Sequence, residues 1–73
     1  MKEQIRDIMK RVFKVVELPE NPTIENVEQW DSLHHLNLMV EIEIEFDTEF
    51  EPEDIAKMKS LEAICEAINS KKA

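Results

Sequence analysis

The sequence contains no glycine. Two-residue β-hairpins ask for backbone at positive φ, which glycine supplies without steric cost. A chain of 73 residues without it is steered away from an antiparallel sheet and toward helices, whose interiors need no such backbone. The same absence removes the P-loop and the dinucleotide-binding fingerprint, in which glycine lets the backbone approach a phosphate.

Ile5, Ile8, Met9, Val12, Phe13 and Val16 recur at helical spacing, with Lys10, Arg11 and Lys14 on other faces. Pro19 and Pro22 stop that pattern, since proline cannot continue a helix and restricts the residue before it. The spacing predicts a first helix over residues 3–17. Residues 19–31 read as a long loop. Ile24, Val27 and Trp30 recur within it, which predicts that at least two of them pin it to the rest of the molecule. Asp31 is a favoured N-cap because its carboxylate accepts the free amide protons of a first turn. The apolar pattern from Ser32 to about Phe46 makes a second helix, ended by Asp47-Thr48-Glu49.

Pro52 suits the first position of a short third helix over residues 53–58, with Glu53 and Asp54 in its first turn. Ser60 caps a fourth helix whose apolar face is Leu61, Ile64, Cys65 and Ile68, and the tail from Ser70 to Ala73 places cations near its end. Ile42, Ile44 and Phe46 alternate with Glu41, Glu43 and Glu45 as in a strand, but no partner strand accompanies them. The expected fold is all-α: a small antiparallel bundle of three main helices and one short one, in a single domain over residues 1–73.

Lys and Arg number 9 against 17 Asp and Glu, a net charge of −8. That surface repels phosphate backbones and anionic lipid, so nucleic acid and membrane are poor candidates as partners and proteins with basic patches are better ones. No apolar run approaches the ~18 residues of a membrane span, and Met1-Lys2-Glu3-Gln4 does not open a signal peptide. The single cysteine, Cys65, allows no internal disulfide and suits a cytoplasmic chain; its place on an apolar face reads as a buried structural thiol. A monomer is expected.

A domain this small has little room for a deep active-site cleft, and Ser32 has only His34 and His35 as neighbouring bases, so no catalytic residue is expected. His34 and His35 point about 100° apart on a helix and cannot share an ion from one face. No metal site is expected, with His34 toward solvent and His35 partly toward the core. Glu41 and Glu45 read as a solvated acidic face.

The second helix has two apolar sides. His35, Leu38, Met39, Ile42 and Phe46 share one, assigned to the core; Leu33, Leu36, Val40 and Ile44 lie nearly opposite. Part of that second set is either covered by the short helix or the long loop, or it stays exposed and meets a partner, with Glu43 and Asp47 beside it.

Trp30-Asp31-Ser32-Leu33 precedes the second helix, which ends in Glu45-Phe46-Asp47, and a short acidic segment and an apolar fourth helix follow. This resembles the acyl carrier protein family, whose signature is Asp-Ser-Leu at the start of its second helix, over nearly the whole chain. The resemblance implies that Ser32, flanked by Asp31 and Leu33, accepts 4′-phosphopantetheine from coenzyme A by the action of a separate phosphopantetheinyl transferase with Mg²⁺. The thiol of that arm would carry acyl intermediates as thioesters in fatty-acid, polyketide or related biosynthesis, and the carrier itself would catalyse nothing. Implied partners are the transferase, an acyl-loading ligase or acyltransferase, and synthase enzymes with basic patches, met through Leu33, Asn37, Val40, Glu43 and Ile44.

Gln29 and Trp30 stand where many members have Gly and a small residue. His34, His35, Asn37 and Ile44 stand where acidic residues are common. A specialised member is implied, with a partner surface less acidic and more apolar. The alternatives are an aminoacyl or peptidyl carrier loaded by an adenylating ligase, or an unmodified acidic helical adaptor.

Overall fold

Two residues in left-handed backbone set where the first two helices stop. The structure, a computed structural model, describes residues 1–72; of the expected tail, Ala73 lies outside the described residues. Helix α1 spans Lys2–Phe13, α2 Ser32–Phe46, α3 Pro52–Lys57 and α4 Leu61–Lys72. α1 ends as Lys14 turns to φ 59°, ψ 46° and the Val15 N–H reaches back to the Lys10 carbonyl at 3.1 Å. α2 ends in the same way, with Asp47 at φ 50° and the Thr48 N–H donating to the Glu43 carbonyl at 3.0 Å. Glycine is the usual residue at such caps; here both fall on residues with a Cβ.

The first helix therefore stops at Phe13, short of the Glu17 that its periodicity suggests. Val16 continues the apolar spacing but lies beyond the cap and is exposed. The turn at Lys14 reverses the chain before Pro19 and Pro22 have any part in ending the helix.

α1 packs against α2 and α4. The core takes Ile5, Ile8, Met9 and Phe13 from α1, Leu38, Met39 and Ile42 from α2, and Leu61, Ile64, Cys65 and Ile68 from α4. Phe46 packs on it half-buried. Phe50 and Met58, on either side of α3, are buried too, although α3 itself buries no residue. Among the described residues no strand forms, and no helix is long and apolar enough to cross a membrane.

The long loop is held at several points. Val27 and Trp30 are buried as their spacing suggests, together with Pro22, whereas Ile24 stays exposed. The Ile24 N–H donates to the Lys59 carbonyl and the Leu61 N–H to the Pro22 carbonyl, both at 3.0 Å, so the loop pairs with the α3–α4 linker through a bridge between Thr23 and Ser60. The Arg6 guanidinium donates to the carbonyls of Leu18, Pro19 and Glu20 at 3.3, 2.9 and 3.1 Å. Backbone groups that no helix satisfies thus find partners. Ser60 caps α4 as expected, its Oγ accepting from the Ala63 N–H at 3.1 Å.

Candidate functional site

The start of α2 is built around one carboxylate. Asp31 Oδ1 accepts from the His34 backbone N–H at 2.9 Å and from His34 Nδ1 at 2.8 Å. The backbone bond first, then the ring bond, hold the Asp31 carboxyl below its ordinary range. The Asp31 N–H donates to the Gln29 carbonyl at 3.0 Å. Of the first-turn donors that a helix leaves unpaired, this accounts for two and leaves the amides of Ser32 and Leu33 without a partner among the described residues. Ser32 is exposed at the first helical position, at the positive end of the α2 dipole.

Aromatic rings lock this helix start to the rest of the fold. Phe13 stacks against Trp30 with ring centres 5.5 Å apart and meets the His34 ring edge-on at 6.2 Å. His34, expected toward solvent, is instead half-buried between Phe13 and Asp31: the aromatic face at the end of α1 offers contact that water does not. His35 is half-buried as expected. Its Nδ1 accepts from Trp30 Nε1–H at 2.8 Å and its Nε2 donates to the Ile55 carbonyl at 2.7 Å, tying loop, α2 and α3 together. The two imidazoles face different partners.

Beside Ser32 opens a cavity of about 350 Å³, lined by Ile24, Trp30, Asp31, Ser32, His35, Ala56 and Lys59. Its walls come from the loop, the start of α2 and the α3 region. Asp31 and Ser32 face it together; Leu33 does not line it.

The other side of α2 is open. Leu33 is 66% exposed, Leu36 55%, Val40 52% and Ile44 72%, so neither the loop nor α3 covers this stripe. Val40 and Ile44 border a broad depression of about 890 Å³ with Glu43, Asp47, Thr48, Glu49 and Phe50. Asn37 sits with Val40 in a second depression alongside Arg11, Val12 and Glu41. Glu43 has a structural task besides: its Oε2 accepts the Phe50 N–H at 2.9 Å and holds the chain that leaves α2. Cys65 is buried, and desolvation pushes its thiol above the ordinary value, which keeps it an unreactive packing group.

Comparison with protein-family models and with curated proteins finds no match to this chain. Ala56 and Lys59 are cavity residues without a signal in the sequence, and Ile24 has one only as a candidate pin of the loop. They come together only because the loop pairs with the α3–α4 linker, and no local pattern encodes that pairing. Trp30 was visible as part of the Trp-Asp-Ser-Leu segment, though not as the partner of His35.

Proposed function

We propose that this protein is a carrier of acyl groups in the manner of the acyl carrier protein family. In this reading the helices form the antiparallel bundle of that family, and Ser32 bears a 4′-phosphopantetheine arm. The observation that carries it is the exposed Ser32 hydroxyl at a rigidly capped helix start, opening onto a cavity. The residues present fit the group. A phosphodiester on Ser32 would face the unpaired amides of Ser32 and Leu33 at a helix N-terminus, a favourable place for an anion. Ile24, Trp30 and Ala56 would give the arm an apolar wall.

When bound, the arm supplies a thiol that holds an acyl chain as a thioester. The chain's own residues hold and present it. Asp31 fixes the first turn, while Trp30 and His35 make that turn rigid through their bond to each other and to α3. A swinging arm on a rigid base suits a protein whose partners perform the chemistry. Those partners are a phosphopantetheinyl transferase, an acyl-loading ligase or acyltransferase, and synthases with basic patches. They would meet Leu33, Asn37, Val40 and Ile44, beside the carboxylates of Glu43, Asp47 and Glu49.

The same exposed stripe favours a second reading, an unmodified acidic adaptor that binds a basic partner through α2. Incubation of the apo protein with coenzyme A, Mg²⁺ and a transferase of broad specificity, followed by peptide mapping, separates the two. The carrier reading expects one arm, on Ser32, absent from Ser32→Ala. A wild-type chain that takes no arm leaves the adaptor, and an arm that persists on Ser32→Ala removes the assignment of Ser32. Ser32→Ala should fold, because Asp31 supplies the cap.

A further inference from the structure

An arm on Ser32 would set a phosphodiester beside an anion already in place. The Asp31 carboxylate is one residue away and is held ionised by two N–H groups of His34. Acids outnumber bases 17 to 9 over the whole chain. The positive end of α2 offsets part of this repulsion, but one of its amides is already given to Asp31. A phosphodiester here calls for a cation within reach.

Lys59 answers that description. It lines the same cavity of about 350 Å³ as Ser32, so the two residues border one small space. Its backbone is fixed: its carbonyl accepts the Ile24 N–H at 3.0 Å and its N–H donates to the Lys57 carbonyl at 2.9 Å. Among the described residues the ion pairs are Arg11 with Glu41, His34 with Asp31 and Lys71 with Asp54, so no carboxylate holds the Lys59 ammonium. Lys59 and Ser32 are both exposed at the rim of this cavity, and Ile24, Trp30 and Ala56 bring no carboxylate that would compete for the ammonium.

We propose that Lys59 binds the phosphodiester attached to Ser32, closing on it from the α3–α4 linker while the first-turn amides of α2 hold it from the other side. The inference rests on the carrier reading and deepens it. Its consequence is directional: the arm leaves α2 on the side of His35 and Ala56, and Leu36, Val40 and Ile44 stay free for a partner.

The test compares melting temperatures of apo and arm-bearing protein at low salt, in wild type, Lys59→Gln, Lys59→Arg and Lys57→Gln. The last makes the same change of net charge away from the cavity. Attachment should lower the melting temperature of Lys59→Gln by roughly 2–6 °C more than that of wild type or Lys57→Gln. Lys59→Arg should behave as wild type, and 1 M NaCl should close the gap. The phosphorus NMR signal of the arm should also move in Lys59→Gln and stay in place in Lys57→Gln. Equal behaviour of Lys59→Gln and Lys57→Gln in both readouts overturns the role of Lys59 alone. A wild-type chain that takes no arm overturns the carrier reading and this inference together.

Discussion

Helices α1 and α2 lie against each other, joined at the surface by Arg11 and Glu41 at 2.8 Å, yet they place their apolar residues differently. α1 buries Ile5, Ile8, Met9 and Phe13, packs Val12 at the edge of the core, and presents mainly charged residues elsewhere. α2 buries Leu38, Met39 and Ile42, and then exposes Leu33, Leu36, Val40 and Ile44. One apolar face is enough to dock a helix. A second face in water adds nothing to the fold and invites association. The shape of α1 is explained by the core alone. The core alone does not explain the outer apolar side of α2, and that side is where the proposed carrier function puts its partners.

The sharpest way to break this contrast is to truncate one residue from each face of α2. Ile42 is fully buried and Ile44 is 72% exposed. Ile42→Ala should lose about 2–5 kcal/mol in urea unfolding, as should Ile8→Ala on α1. That is a large part of the roughly 4–11 kcal/mol expected for a domain of this length. Ile44→Ala should change stability by less than ~0.5 kcal/mol. Equal losses at Ile42 and Ile44 would mean that the outer stripe is core after all.

The bridge at the start of α2 comes next. His35→Ala leaves the Trp30 Nε1–H and the Ile55 carbonyl without the partner they share. About 1–3 kcal/mol of stability should be lost. Faster amide exchange in α3 would locate the loss, because α3 buries none of its own residues.

Much of this contrast was legible in the sequence. Apolar spacing identified both faces of α2, Asp31 and Ser60 announced their helices, and Val27 and Trp30 betrayed a pinned loop. The end of α1 was not legible, because its signal is usually glycine and here Lys14 adopts the left-handed backbone while Val16 keeps the apolar period running. The bond from His35 to Ile55 and the place of Lys59 depend on contacts between distant segments, and the bond from the Phe50 N–H to Glu43 spans the turn that leaves α2. A single helix wheel carries no information about them. For the candidate site, sequence supplied Ser32 and its cap, and the fold supplied the cavity.

The helix ends sharpen the comparison with a smaller effect. Lys14→Gly should raise stability by about 1 kcal/mol, relief of the left-handed strain exceeding the entropy that glycine adds to the unfolded chain. Asp47→Gly should gain about half as much, since aspartate tolerates this backbone better. Urea midpoints measure both, and a loss at either position would contradict the capping geometry.

The smallest effect is that of acid on the cap. The folded-state pKa of Asp31 lies below its unfolded value, so its carboxylate contributes stability in full above about pH 4 and loses it as pH falls through the lower folded value. Asp31→Asn keeps a capping oxygen without the charge. The difference in melting temperature between wild type and this variant should shrink as pH is lowered below about 4. A difference that stays constant over that range would contradict the role assigned to the carboxylate.

The most direct measurement of the central claim is the rate at which a phosphopantetheinyl transferase places an arm on Ser32 in wild type and in the double variant Val40→Ala with Ile44→Ala. The proposed carrier presents Ser32 at a rigid helix start and its partners along the outer stripe of α2. Wild type should therefore be modified at Ser32, and the variant should be modified about tenfold more slowly at low substrate with an unfolding midpoint close to that of wild type. No modification of wild type would contradict the carrier, and equal rates in the two proteins would contradict the partner surface.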